Sequence, residues 1–304
     1  MKRLLLPALL LPLLASTPVW TGEKKQEKKG VEPTATLKYG DHERQVLDFY
    51  QAKSDSPTPV VFYIHGGGWR GGDKKTDPSA FLKAGISVVA INYRYVQNGV
   101  EQKIEPPVKA PLEDAARALQ FTRSKAREWN IDKKRIGATG GSAGGCSSLW
   151  LAFHDDMANA KSDDPIARES TRLHCAAVNG AQTSLDPKEL REWMPNYDYG
   201  AHAFGFGKFQ DYLDNRDKIA KWIKEYSPIE HVTKDDPPIG LFYTSAKDNN
   251  VGDSPKDPTH SAILGVKLHE RCKAAGVVCV LSYPGHEDAT YKNSTQYLID
   301  RLRK

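Results

Sequence analysis

Ser142 stands at the centre of Gly140-Gly141-Ser142-Ala143-Gly144, between an apolar run that begins at Ile136 and a helix-like run from Cys146 to Phe153. A serine at a sharp strand-to-helix turn presents its hydroxyl clear of the sheet, and glycines two before and two after it remove the Cβ atoms that would clash. The chemistry open to such a serine is nucleophilic attack on a carbonyl carbon. A serine hydroxyl is a poor nucleophile at neutral pH, so it needs a base within hydrogen-bond reach, an acid that orients the base, and donors for the developing oxyanion. The strand before and the helix after distinguish this pentad from an ordinary Gly/Ser turn.

Partners are sought on loops beyond the C-terminal ends of strands. Among the nine histidines, His286 directly follows the last apolar run, in Pro284-Gly285-His286, and is the expected base. His202, His231 and His260 are the fallback positions, read otherwise as a residue of an inserted segment and two surface polar groups. Asp248 closely follows the run 239–244 and is the expected acid, with Asp253 and Asp257 of the same loop as alternatives. Three consecutive glycines, Gly66-Gly67-Gly68, follow another apolar run, and backbone N–H groups without side chains around them can approach an oxyanion closely. His65 is expected to prop that loop. Trp69 is expected to wall the acyl or alcohol side of a pocket. No Gly-Lys-Ser/Thr ending marks the glycines as a phosphate loop.

The elements that must hold these groups alternate. Residues 36–39 and 45–50 read as paired strands, and 59–64 and 86–92 as buried strands. A helix is expected near 78–84 and another over 112–129, whose apolar residues recur at helical spacing after Pro111. The elbow strand follows, and then a sixth strand at 173–178. Strand 239–244, helix 261–275, strand 277–283 and a final helix near 291–302 complete the series. The alternation predicts an α/β fold with a mostly parallel central sheet and helices on both faces. Residues 182–226 interrupt it with a long, aromatic-rich insertion, read as a small helical subdomain and as a lid whose Trp193 and Tyr197 line the pocket.

The chain has 304 residues and a formal charge of +5. Six basic and two acidic residues among the first 29 carry four of those positive charges, so the remainder is close to neutral, with no basic stripe of the kind nucleic acid requires. Lys2-Arg3 followed by a leucine-rich run is the layout of a secretory signal peptide, expected over residues 1–20, with a charged flexible leader over 21–34 and the catalytic domain over 35–304. The run is too short to span a bilayer, so stable membrane insertion is not expected. The expected location is secreted or periplasmic. There disulfides persist, and Cys272 and Cys279 could pair across a helix end, or both could be small buried residues. Cys146 is expected in the core.

His65-Gly66-Gly67-Gly68-Trp69, Asn92-Tyr93-Arg94-Tyr95, Gly140 to Gly145, Ser227-Pro228-Ile229 and Pro284-Gly285-His286 together resemble the α/β-hydrolase superfamily, within it the hormone-sensitive-lipase-like and feruloyl-esterase-like carboxylesterases. The resemblance covers residues 35–304. It implies Ser142 as nucleophile with Asp248 and His286, the N–H groups of Gly67, Gly68 and Ala143 as oxyanion hole, and no metal or cofactor. It also implies a small-molecule or polysaccharide-linked ester as substrate. The helical cap of the hormone-sensitive-lipase-like enzymes has no counterpart before the first strands, so the insertion at 182–226 must serve as lid.

Overall fold

The structure is a computed structural model that describes residues 30–244 and 250–304. The expected signal peptide, most of the leader, and Asp248 lie outside the described residues. Residues 31–304 form one compact unit.

Eight strands make one sheet: β1 (Ala35–Lys38), β2 (Val46–Tyr50), β3 (Thr58–Ile64), β4 (Ser87–Ile91), β5 (Ile131–Gly141), β6 (Cys175–Asn179), β7 (Ile239–Phe242) and β8 (Cys279–Ser282). Their order is β1-β2-β4-β3-β5-β6-β7-β8. Strands β3 to β8 run parallel, and β2 joins antiparallel to β1 and β4. Val60, Val61, Phe62 and Ile64 of β3 are fully buried, because a parallel strand with helices on both faces exposes neither side. Each such side chain contributes about 1.5–3 kcal/mol.

The helices are α1 (Ser79–Lys83), α2 (Val96–Glu101), α3 (Lys109–Ser124), α4 (Ala143–Phe153), α5 (Pro187–Trp193), α6 (Phe209–Asp214), α7 (Ala220–Tyr226), α8 (Ala262–Ala275) and α9 (Ser294–Arg303). Two apolar clusters line the two faces of the sheet, the larger containing α3, α4 and α8, the smaller containing α9. Helix α3 ends near Ser124, short of the expected Trp129, whose ring stacks on Phe49 instead. Helix α2 was not legible in the sequence.

Residues 182–226 fold as α5, a 3-10 turn (Ala201–Phe204), α6 and α7. Their aromatics continue the larger cluster: Phe204 stacks on Tyr212, which Phe209 meets edge-on. The insertion is therefore built into the body of the domain. All four cysteines are free thiols. Cys146 is in the core as expected, and the Cys272 thiol lies beside Cys279, whose own thiol it pushes up together with burial.

Candidate active site

The chain crosses from β5 into α4 at Ser142, whose φ of 52° and ψ of −126° are strained for a side-chain-bearing residue. The strain persists because the surroundings leave no alternative. A Cβ on Gly144 would come within 2.1 Å of the Ile64 carbonyl oxygen, so α4 can start this close to β3 only with glycine there. The Ser142 N–H donates to the Asn179 carbonyl at the end of β6 (3.0 Å), and the Ser142 carbonyl accepts from the Cys146 N–H (2.9 Å). The hydroxyl is left to face a partner.

That partner is His260. Its Nε2 lies 3.0 Å from Ser142 Oγ, and its Nδ1 lies 2.7 Å from Asp257 Oδ2. His260 closes a 3-10 turn (Pro258–His260) between β7 and α8, immediately before Ser261, which caps α8 by accepting from the Ile263 N–H. The turn is held to the sheet by Gln182, whose Nε2 donates to the Thr259 carbonyl (2.6 Å), and by Gly180, which abuts the His260 ring. Asp257 accepts a hydrogen bond from Nδ1–H, which leaves the Nε2 lone pair toward the serine hydroxyl.

His286, the expected base, stands on the turn after β8, and His260 is the histidine in contact with Ser142. His286 is exposed and closes a Pro-Gly β-turn in which its N–H donates to the Tyr283 carbonyl (2.8 Å), while its ring stacks on Tyr283. It follows β8, an edge strand separated from β5 by β6 and β7, roughly 14 Å across the sheet. Of the acid alternatives, Asp257 contacts His260, and Asp253 accepts from the Asn250 N–H within its own loop.

The glycine loop lies against the elbow: a Cβ on Gly66 would sit 2.7 Å from the Gly141 carbonyl oxygen and 3.6 Å from Ser142 Cβ. Gly67 has φ 95° and Gly68 φ 62°. His65 props the loop as expected. Its Nδ1 donates to the Gly66 carbonyl (2.7 Å) while its ring stacks on Tyr93, and burial lowers its pKa to about 4. The insertion supplies a second prop that sequence reasoning missed. His202 Nε2 donates to the Gly68 carbonyl (2.8 Å), and burial lowers its pKa also to about 4. Tyr199 lies beside it, with its hydroxyl over Gly68. His202 is thus a positioning residue. His231, the remaining fallback histidine, lies away from Ser142 on the turn after α7.

The expected pocket aromatics Trp69, Trp193 and Tyr197 are all buried. Trp69 is 1% exposed and donates Nε1–H to Ser147 on α4 (3.0 Å), because a positive φ turns its side chain inward. Tyr197 is 1% and Trp193 9% exposed, both in the core of the insertion. A cavity of about 330 Å³ next to His260 is lined by Asn179, Gly180, Phe242, Thr244 and Asp257. A larger open cavity of about 970 Å³ along α9 holds neither nucleophile nor base.

An eight-stranded, mostly parallel sheet with a serine at the β5–α4 turn and a histidine–aspartate pair on the β7–α8 loop defines an α/β-hydrolase. Residues 47–261 match the BD-FAE family, and the chain belongs to that family. Among curated relatives, versiconal hemiacetal acetate esterase of Dothistroma septosporum is 33% identical over 116 residues, 37% of this chain and 34% of its own. Carboxylesterase NlhH of Mycobacterium tuberculosis is 38% identical over 98 residues, 31% and 28% of the two chains. The chain spans about a third of the length of these relatives. A solved structure described as a truncated form of carbohydrate esterase from gut microbiota superposes with a TM-score of 0.68 at 21% identity, covering 91% of this chain and all of that one. The acetyl ester-xyloside bifunctional hydrolase from Caldicellulosiruptor lactoaceticus gives 0.61 at 22%, covering 84% and 87%. At these identities the solved structures establish the fold.

Proposed function

We propose that the protein is a serine carboxylesterase that works through an acyl-enzyme on Ser142, with His260 as base and Asp257 as its orienting acid. The observation that carries this is the pair of contacts at 3.0 and 2.7 Å that links Ser142, His260 and Asp257 in one line. Ser142 Oγ attacks the ester carbonyl as its proton passes to His260 Nε2, and the imidazolium formed is held by Asp257. Backbone N–H groups of Gly67, Gly68 and Ala143 receive the oxyanion, and His65 and His202 keep the glycine loop in place for it. His260 then returns the proton to the departing alcohol. Water, activated by the same nitrogen, attacks the acyl carbon and releases the acid and Ser142.

A short acyl group fits best. Trp69, Trp193 and Tyr197, the large aromatics expected along the pocket, are packed into the core. The acetate and acetyl-ester chemistry in the descriptions of two similar proteins supports an acetyl ester, carried by a carbohydrate, as the substrate class. The basic start and apolar run of residues 2–15 support export, where such substrates occur. The test is hydrolysis of a p-nitrophenyl ester series from acetyl to palmitoyl by the protein and by Ser142→Ala. Preference for the short esters, lost by several orders of magnitude in the variant, is expected. Absence of turnover on every ester would sink the reading.

A further inference from the structure

At the opposite end of α4 from Ser142, three side chains that commonly ligate metals converge. His154 caps the C-terminus of α4, Glu225 lies in the last turn of α7, and His231 ends the following 3-10 turn (Pro228–His231). One donor atom from each lies within 4.8 Å of the other two. The imidazole centroids are 4.9 Å apart, and His154 Nε2 is 3.1 Å from Glu225 Oε1.

Backbone contacts fix where the ring protons are. His154 Nδ1 lies 2.8 Å from the Asp155 carbonyl, and His231 Nε2 lies 2.6 Å from the Glu225 carbonyl. A carbonyl oxygen only accepts, so those two nitrogens carry protons. In neutral rings the lone pairs are then His154 Nε2 and His231 Nδ1. His154 Nε2 would face a carboxylate oxygen at 3.1 Å, acceptor against acceptor, a geometry that calls for a positive charge between them. A proton or a metal ion would supply it. An imidazole that donates its other N–H to a backbone carbonyl is the usual arrangement around a bound metal, because that bond fixes the tautomer and orients the ring.

We propose that His154, Glu225 and His231 form a site for a first-row divalent cation, zinc foremost, that staples the helical insertion to the far end of the nucleophile helix. Two imidazoles and one carboxylate suit zinc, with solvent in the fourth position beside the half-exposed Glu225. Tetrahedral bonds of about 2.0–2.2 Å set donors roughly 3.4 Å apart, so side-chain shifts of about 1 Å close the site. The C-terminal end of α4 adds a favourable field for a cation. Eleven helical residues separate the site from Ser142, about 16 Å, so the ion is structural and takes no part in ester chemistry.

The experiment uses the full chain without a polyhistidine tag, stripped with EDTA, dialysed, and titrated calorimetrically with Zn²⁺ and, separately, Mg²⁺. One equivalent of Zn²⁺ and no Mg²⁺ is expected to bind, and Tm is expected to rise by roughly 5 °C at a hundredfold excess over Kd. His154→Asn/His231→Asn loses both effects. Glu225→Gln, an exposed and nearly isosteric change, weakens binding about tenfold or more and decides the matter if the double variant fails to fold. Absence of one-to-one binding in the parent, or equal binding in Glu225→Gln, overturns the site and leaves His154 and Glu225 as an ion pair. Ester hydrolysis enters neither outcome, so the two proposals fail separately.

Discussion

Two histidines compete for one role, and their exchange for alanine separates the structure from the chain-order expectation. His260→Ala removes the group 3.0 Å from Ser142 Oγ, so the hydroxyl has no acceptor as it attacks. Triads act as units, and loss of the base costs between about 10⁴- and 10⁶-fold in kcat. His286→Ala removes an exposed ring from a turn beyond the edge strand and should change kcat/KM by less than about threefold. Asp257 gives an intermediate value that can be worked from its surroundings. Imidazolium and carboxylate centres about 4 Å apart attract by about 4 kcal/mol at an effective dielectric of 20 and about 1 kcal/mol in water. The two side chains are 40% and 50% exposed, which places the pair between those limits. About 2 kcal/mol remains, so Asp257→Asn should lower kcat roughly thirtyfold, far less than for a buried triad acid. The assay is p-nitrophenyl acetate hydrolysis by the three variants, with Tm measured alongside to exclude unfolding. Retention of activity in His260→Ala together with its loss in folded His286→Ala would refute the assignment.

Ser142→Gly relieves a strain of about 1–3 kcal/mol at φ 52° but frees the unfolded chain by up to about 1 kcal/mol, so it should be more stable than Ser142→Ala by about 1 kcal/mol. A lower Tm for the glycine variant would show that the elbow stores no strain. Gly68→Ala drives a Cβ to 2.2 Å from the Tyr199 hydroxyl at a positive φ, and should lose at least about tenfold in kcat, part of which Tyr199→Phe restores. No restoration would mean that the loop fails through its own backbone alone. His65 and His202 have folded pKa values of about 4, below the unfolded value, so the unfolded state binds more protons between pH 4 and 6.5. Their stabilisation is complete above about pH 6.5 and is lost as pH falls through the window, with a slope of up to about 1.4 kcal/mol per pH unit for each. Denaturant melts across that range should show a shallower slope for His202→Gln, and an unchanged slope would contradict its burial as a neutral ring.

What was legible in the sequence is what sterics imprint on residue type. Gly140 and Gly144 announce the elbow because no other residue permits the approach of α4 to Ile64, and Gly66 to Gly68 announce the loop beside it. The buried parallel strands announce themselves as unbroken apolar runs. Two segments satisfy the same loop rule for a base, and only tertiary geometry shows that Pro284-Gly285 closes a turn while Asp257-Pro258-Thr259-His260 faces the serine. A signal was present in the second segment. Asp and His three apart with Pro between fit a 3-10 turn, in which residues i and i+3 share a side, directly before the Ser261 cap of α8. Adjacency to the glycine loop does not give side-chain direction: Trp69 has φ 54°, and its indole N–H donates to Ser147. His202 has no local pattern at all, since its role exists only once the insertion has docked on Gly68.

In the proposed triad, acid and base lie on one turn, which changes what the fold must hold. With the base after β8 and the acid after β7, two independent loops would have to meet the elbow in register. Here Asp257 and His260 set their mutual distance within four residues, and the one tertiary distance to maintain is that between the turn and Ser142. Three contacts fix it from the sheet side: Asn179 receives the Ser142 N–H, Gly180 abuts the His260 ring, and Gln182 holds the Thr259 carbonyl. All three lie within four residues at the end of β6, so a single strand end references both the nucleophile and its base. The same chain then enters the insertion that delivers Tyr199 and His202 to the glycine loop on the other side. Ser142, His260 and the glycine loop are thereby all tied to one continuous stretch of chain that starts at the end of β6.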